Sequence, residues 1–187
     1  MEEEIKKALE VLQKGGTILC PTDTIWGISC DATDQEAVEK ILTIKGRDPE
    51  KGLIVLMDDE KWLNKYLKEV PAQAWDLIEL SDKPITIIYD SPLGLAKNVT
   101  GTDNTAAIRI CKDDFCKRLI YKFGKPIVST SANLSGEVSP GSFHEISETI
   151  KKNVDHIVKL RQNESMRSIA SSIVRIKLNG EIQVIRK

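Results

Sequence analysis

The chain has 187 residues, 41% of them apolar and 29% charged, with 27 Lys and Arg against 28 Asp and Glu. A chain of this length buries roughly 70% of its unfolded surface, so it needs no disulfide or metal staple, and its composition excludes disorder. The near-neutral balance excludes a binder held on nucleic acid by bulk charge, and no apolar run approaches the ~18 residues of a membrane span. One domain over residues 1–187 is the natural expectation. The start, MEEEIKKALE, is acidic and amphipathic. It does not read as a signal or transit peptide, which points to the cytoplasm and away from a membrane.

Residues 4–13 place Ile5, Leu9 and Leu12 at helical spacing, and Gly15-Gly16 stops that helix. Residues 17–20 read as a short strand. A second amphipathic helix spans 34–45, with a capping box in Thr33 and Glu36 at its start. The continuous apolar run 53–57 fits a strand covered on both faces. Residues 59–80 read as two short helices broken at Pro71. Strands follow at 84–89 and 106–111, a helix at 113–123, and a strand at 126–129. A second capping box, Ser142 and Glu145, opens a helix over 142–152. After 156–160 the chain ends in a hairpin, 172–177 and 181–186, whose Asn179-Gly180 pair suits a type I′ turn. Strands alternate with helices and a hairpin closes the chain, so the expected fold is an α/β layer structure with a mixed sheet.

Cys20, Cys30, Cys111 and Cys116 show no CxxC spacing, and only His144 and His156 could join them on a metal. They read as small buried hydrophobes. The sequence has no GxGxxG and no GxxxxGK[ST], so it carries neither a Rossmann fingerprint nor a P-loop.

Four polar clusters fall at the ends of strands, where α/β proteins build their sites. The first is Pro21-Thr22-Asp23-Thr24-Ile25-Trp26-Gly27, which serves equally as a turn bonded to its own backbone. The second runs from Lys45 through Arg47 to Lys51. Its cations suit a polyphosphate, although such loops are often only solvated. In the third, Arg109 lies inside the apolar strand that follows Thr105. An arginine there needs an anion, either an internal carboxylate or one on a ligand. The fourth, Ser129-Thr130-Ser131-Ala132-Asn133, crowds hydroxyls and an amide at a strand end. A nucleophilic serine would require a base and an elbow motif that the sequence does not offer, so hydrogen-bond donors to a phosphate or a nucleobase are the better reading.

The motifs PTDTIWG, KGR…KGLIVL, AAIR, STSANLSG and SSIV…VIR, in this order over essentially the whole chain, resemble the YrdC/Sua5 family. That resemblance implies an open, twisted α/β sheet with a concave, positively charged face, in the short single-domain form. It implies an L-threonylcarbamoyladenylate synthase, which condenses L-threonine, bicarbonate or CO2, and ATP, and releases pyrophosphate. The threonylcarbamoyl group would then pass, through downstream transferase proteins, to adenosine in tRNA. Matched position by position, Thr24, Arg109, Ser129 and Ser171 would hold threonine. Lys45 and Arg47 would act on the ATP phosphates as the catalytic cations, with Lys51 nearby. Thr105, Ser131, Asn133, Ser139 and Arg186 would complete the ATP site. Mg²⁺ would arrive on the phosphates, without protein ligands. The family's KxRP reads KGRDP here, and its last serine segment reads ASSI. The resemblance also leaves room for a tRNA- or double-stranded-RNA-binding module without catalysis, helped by Lys117, Arg118, Lys122 and Lys125, or for a paralogue with an altered substrate.

Overall fold

The computed structural model describes residues 1–48, 52–164 and 169–187. Lys51 lies outside them. In chain order the elements are α1 (Glu2–Gln13), β1 (Ile18–Cys20), β2 (Gly27–Asp31), α2 (Gln35–Lys45), β3 (Ile54–Met57), a 3₁₀ turn (Glu60–Trp62), α3 (Leu63–Tyr66), α4 (Ala72–Leu80), β4 (Ile85–Asp90) and β5 (Thr105–Ile110). Then come α5 (Asp114–Phe123), β6 (Ile127–Ser131), a 3₁₀ turn (Phe143–Glu145), α6 (Glu148–Asn153), β7 (His156–Ile157), β8 (Ser172–Ile176) and β9 (Ile182–Arg186). The strands of the described residues form one sheet in the order β7-β1-β2-β6-β3-β5-β4-β8-β9. Three pairs are parallel (β1 with β7, β3 with β5, β4 with β8) and the others antiparallel, so the sheet is mixed, as expected.

The helices begin and end where local chemistry dictates. Glu2, Glu3 and Glu4 place negative charge at the positive end of α1. Gly15, at φ +68°, ends the turn after it. The start of α2 departs from the predicted capping box. Asp34, not Thr33, caps it, accepting from the Glu36 and Ala37 amides at 2.9 and 3.2 Å. The Thr33 hydroxyl instead donates to Asp31 at 2.6 Å. The helix predicted over 142–152 is two pieces, because Ser147 caps a fresh start at α6. Ser142 and Glu145 do bond each other, but around the 3₁₀ turn. The closing turn is not type I′. Only Gly180 has positive φ, and Lys177 bonds both Gly180 and Glu181, giving a three-residue loop with a glycine bulge.

Side-chain alternation divides the core in two. Leu19, Ile28, Val55, Ile108 and Val128 face α2 and its neighbours. Ile18, Cys20, Leu56 and Ile127 face α1 and α5. All four cysteines are buried and unpaired, and among the described residues no three His, Cys, Asp or Glu side chains converge as metal ligands. No helix of the described residues is long and apolar enough to cross a membrane. The basic stretch on and just after α5 is partly neutralised. Arg118 and Lys122 reach Glu2 at 2.8 and 2.5 Å, and Lys125 reaches Asp31 at 2.7 Å.

Candidate active site

α1 and α5 cover only part of the second sheet face. Along β5 and β6 the alternation that sends Ile108 and Val128 into the first core turns Thr105, Ala107, Arg109, Ser129 and Ser131 to the other side. Small and polar residues take these positions, and a cavity of about 330 Å³ opens over them. Loops and the last strand complete it with Thr24, Arg47, Ser139, Ser171 and Arg186. Such a concavity is large enough for small-molecule substrates.

One end is built around Arg109, which is only 4% exposed. Its Nη2 lies 3.1 Å from Asp23 Oδ1, and its Nη1 donates to Ser171 Oγ at 3.4 Å. Of the two anions open to it, the internal carboxylate is present, as Asp23. The arginine is ion-paired and still lines the cavity, with Nε left without a hydrogen-bond partner. Ser171 Oγ lies 2.7 Å from Thr86 Oγ1, and the Ser171 carbonyl accepts from Arg186 Nε and Nη2 at 3.0 and 2.7 Å. Burial, and then the charge of Arg109, lower the Arg186 pKa. Two cations converge here, an arrangement that favours an anionic ligand. Thr24 adds a buried hydroxyl, 3.0 Å from that of Thr22.

The other end gathers Arg47, Gly52, Gly101 and Thr105. Arg47 Nη2 donates to the Gly52 carbonyl at 3.1 Å, and burial lowers its pKa. Thr105 donates to Asp103 Oδ1 at 2.7 Å, and Asp103 in turn holds Arg175 at 2.8 Å.

Three of the expected nucleotide contacts act from behind the wall or brace it. Lys45, the last residue of α2, is 2% exposed and does not line the cavity. Its ammonium donates to the carbonyls of Ser131 and Asn133, beneath the serine-rich loop. Asn133 Nδ2 donates to the Leu134 and Glu137 carbonyls at 2.8 and 3.0 Å, which closes that loop. Ser139 both lines the cavity and reaches Asn133 Oδ1 at 3.5 Å. Neither histidine lines the cavity.

Three contributors escaped sequence reasoning as site residues. Asp23 belongs to the singled-out PTDT run, yet only the fold brings it to Arg109. Thr86, on β4, faces Ser171 across the sheet. Gly27 gives Ser129 room, since a Cβ there would lie 2.6 Å from Ser129 Oγ.

The family model Sua5_yciO_yrdC, described as telomere recombination, matches residues 10–187. A threonylcarbamoyl-AMP synthase of Pseudoalteromonas translucida is 36% identical over 160 residues, covering 84% of this chain and 86% of that protein. The structure of P. abyssi Sua5 complexed with L-threonine is 26% identical with a TM-score of 0.83, covering 94% of this chain. This chain spans about half of that Sua5, 52%. E. coli YciO, at 22% identity and a TM-score of 0.85, covers 100% of this chain and 90% of its own, and shares the fold.

Proposed function

This chain belongs to the Sua5/YciO/YrdC family, and from that premise we propose that it is a threonylcarbamoyl-AMP synthase, joining L-threonine, bicarbonate or CO2, and ATP with release of pyrophosphate. One observation carries the reading. A single cavity has the buried Arg109, bonded to the Ser171 hydroxyl, the more exposed Arg186, bonded to the Ser171 carbonyl, and a separate cation, Arg47, beside Thr105 and two glycines. A carboxylate suits Arg109 and a polyphosphate suits Arg47.

The chemistry asks little covalent work of the protein. The threonine amine adds to CO2, and a carbamate oxygen then attacks the α-phosphorus as pyrophosphate leaves. The carbamate is a weak and short-lived nucleophile, so the protein's task is to hold two anions side by side and keep water away. Arg109, Ser171, Thr24 and Ser129 would orient threonine. Arg47 would stabilise charge building on the phosphates, with Lys45 holding the loop that carries Ser131 and Asn133. Lys51 would stand near the phosphates. Mg²⁺ carried on ATP would supply further charge neutralisation when bound. The cavity fits that division, because Arg47 suits the phosphates while Asp23 and Asp103 are held by Arg109 and Arg175.

The product would serve tRNA modification in the cytoplasm through threonylcarbamoyl-transferase partners. Binding RNA without catalysis has less support, since Arg118, Lys122 and Lys125 are paired with Glu2 and Asp31. The test is mass-spectrometric detection of threonylcarbamoyl-AMP from purified protein with threonine, bicarbonate and Mg-ATP. Product that vanishes when threonine or bicarbonate is omitted supports the reading. ATP left intact with all substrates present would sink it.

A further inference from the structure

The loop 21–26 has the substrate cavity on one side and a second hollow on the other. Thr24, Ile25 and Trp26 line both. The second hollow holds about 10 Å³, room for a single water and too small for a substrate. Arg161 borders it. Its Nη1 donates to the Thr22 carbonyl at 3.2 Å and to Asp113 Oδ2 at 2.8 Å. Its Nε lies 2.8 and 2.9 Å from the two carboxylate oxygens of Glu164. Asp113 is itself fixed, because its other oxygen caps α5 by accepting the Cys116 amide at 2.9 Å. The Arg161 backbone has φ +58°, a region that arginine seldom enters. Such a conformation costs free energy and persists only where its surroundings over-determine it, as these contacts do.

We propose that Arg161 is a positioning residue, which sets the loop 21–26 from behind and so delivers Thr24 and Asp23 to the site. The Thr22 carbonyl and the Asp23 amide share one peptide plane, so holding that carbonyl fixes the direction in which the chain enters Asp23. Asp23 then meets Arg109 at 3.1 Å. Thr22 also governs Thr24. The Thr22 hydroxyl donates to the Ile25 carbonyl at 2.8 Å and accepts the Thr24 amide at 3.1 Å, with the Thr24 hydroxyl 3.0 Å away. The Thr22 proton is committed to Ile25, so Thr24 donates its own proton to Thr22 and turns lone pairs to the cavity. A flip of the peptide between Thr22 and Asp23 would disturb both residues, and Arg161 opposes that flip. Arg161 does not line the substrate cavity, so it acts through the loop and not on substrate. The consequence for threonine rests on the synthase reading; the consequence for the loop does not.

The experiment compares the native protein with two variants. Arg161→Met keeps the stem and the backbone demand but has no donors. Arg161→Gly suits the positive φ better and also lacks the guanidinium. Hydrogen exchange of the unliganded protein, read by mass spectrometry, follows the amides of residues 22–26. Initial rates give the KM values for threonine and ATP. Both variants should exchange those amides about tenfold faster or more, with α2 and β3 at native rates. The threonine KM should rise by about tenfold, the scale of one hydrogen bond to a charged group, while the KM for ATP stays within about twofold. Should both variants fail to fold, Asp113→Asn takes their place with the same expectations, since asparagine still caps α5 while the ion pair is lost. Faster exchange spread evenly over α2 and β3 would mark a general brace and overturn the proposal. So would native exchange over 22–26, or an unchanged threonine KM, in a folded variant. Absence of threonylcarbamoyl-AMP from native protein would instead overturn the synthase reading, and the exchange comparison would still test Arg161.

Discussion

The Lys45 ammonium lies 2.6 Å from the Asn133 carbonyl oxygen, so the end of α2 is pinned beneath the loop that follows β6. The same loop returns the bond, as the Ser135 amide donates to the Lys45 carbonyl at 2.8 Å. Desolvation, followed by repulsion from Arg47, lowers the Lys45 pKa to about 8. Lys45→Met should therefore release the loop and lower kcat/KM for ATP by roughly 10²-fold, on the scale of losing one positioned charge donor. In the native protein kcat/KM should fall as pH rises through about 8, where the ammonium loses a proton. The stability trend has the opposite sign. Between about pH 8 and 10.5 the unfolded chain keeps the Lys45 proton that the folded protein has lost, so stability gains with rising pH. Comparing the two proteins in pH-dependent thermal melts isolates that gain, which Lys45→Met should lack.

Gly27→Ala tests the wall at its tightest point. The added Cβ would stand 2.6 Å from Ser129 Oγ and 3.3 Å from the Thr130 carbonyl oxygen. Either Ser129 turns away or β2 and β6 separate. Overpacking of this kind costs about 1–3 kcal/mol, measurable by denaturant unfolding. The threonine KM should rise with it.

Arg47 and Arg109 should separate the two substrates kinetically. Arg47→Ala removes a cation from the proposed phosphate end and should lower kcat by roughly 10²–10³. Arg109→Ala should raise the KM for threonine far more than that for ATP. The reverse pattern in initial-rate measurements would mean that Arg109 faces the nucleotide.

Much of this arrangement is legible in the residues themselves. The 3.6 and 2.0 periodicities locate α1, α2, α5, β3, β4 and β5 to within a residue or two of their observed bounds. Polar residues in apolar strands, Arg109 above all, mark the cavity floor before any fold is known. β2 is the element that escapes. Its sequence, Gly-Ile-Ser-Cys-Asp, is poor in strand formers, and it is a strand because β1 and β6 bond it on both sides. The closing turn shows the converse, since Asn-Gly favours one turn type in isolation while the register of β8 and β9 imposes another. Lys45 illustrates a third limit. In sequence it reads as one of a run of cations suited to a polyphosphate, and only the loop folded over it turns it into a buried brace. Asp23 and Arg109 are 86 positions apart (109 − 23), a pairing that no local pattern encodes.

Thr105 makes a sharper demand on the nucleotide than a hydroxyl usually does. Its single proton is donated to Asp103 Oδ1 at 2.7 Å. Asp103 is held in its ionised form, its pKa lowered first by that hydrogen bond and also by Arg175. An ionised carboxylate only accepts, so Thr105 can offer the cavity nothing but lone pairs. A phosphate oxygen is also only an acceptor, and the two would repel. The group that Thr105 meets must carry an N–H or O–H, which on ATP means the ribose hydroxyls or the base amine. Thr105→Val keeps the shape and deletes the acceptor, so it should raise the ATP KM by about fivefold to tenfold, the scale of one neutral hydrogen bond, with the threonine KM unchanged. Among analogues each lacking one such donor, the one missing Thr105's partner should bind the native protein and Thr105→Val equally well. If the variant lost the same factor against every analogue, Thr105 would be bracing the wall through Asp103 rather than reading the nucleotide.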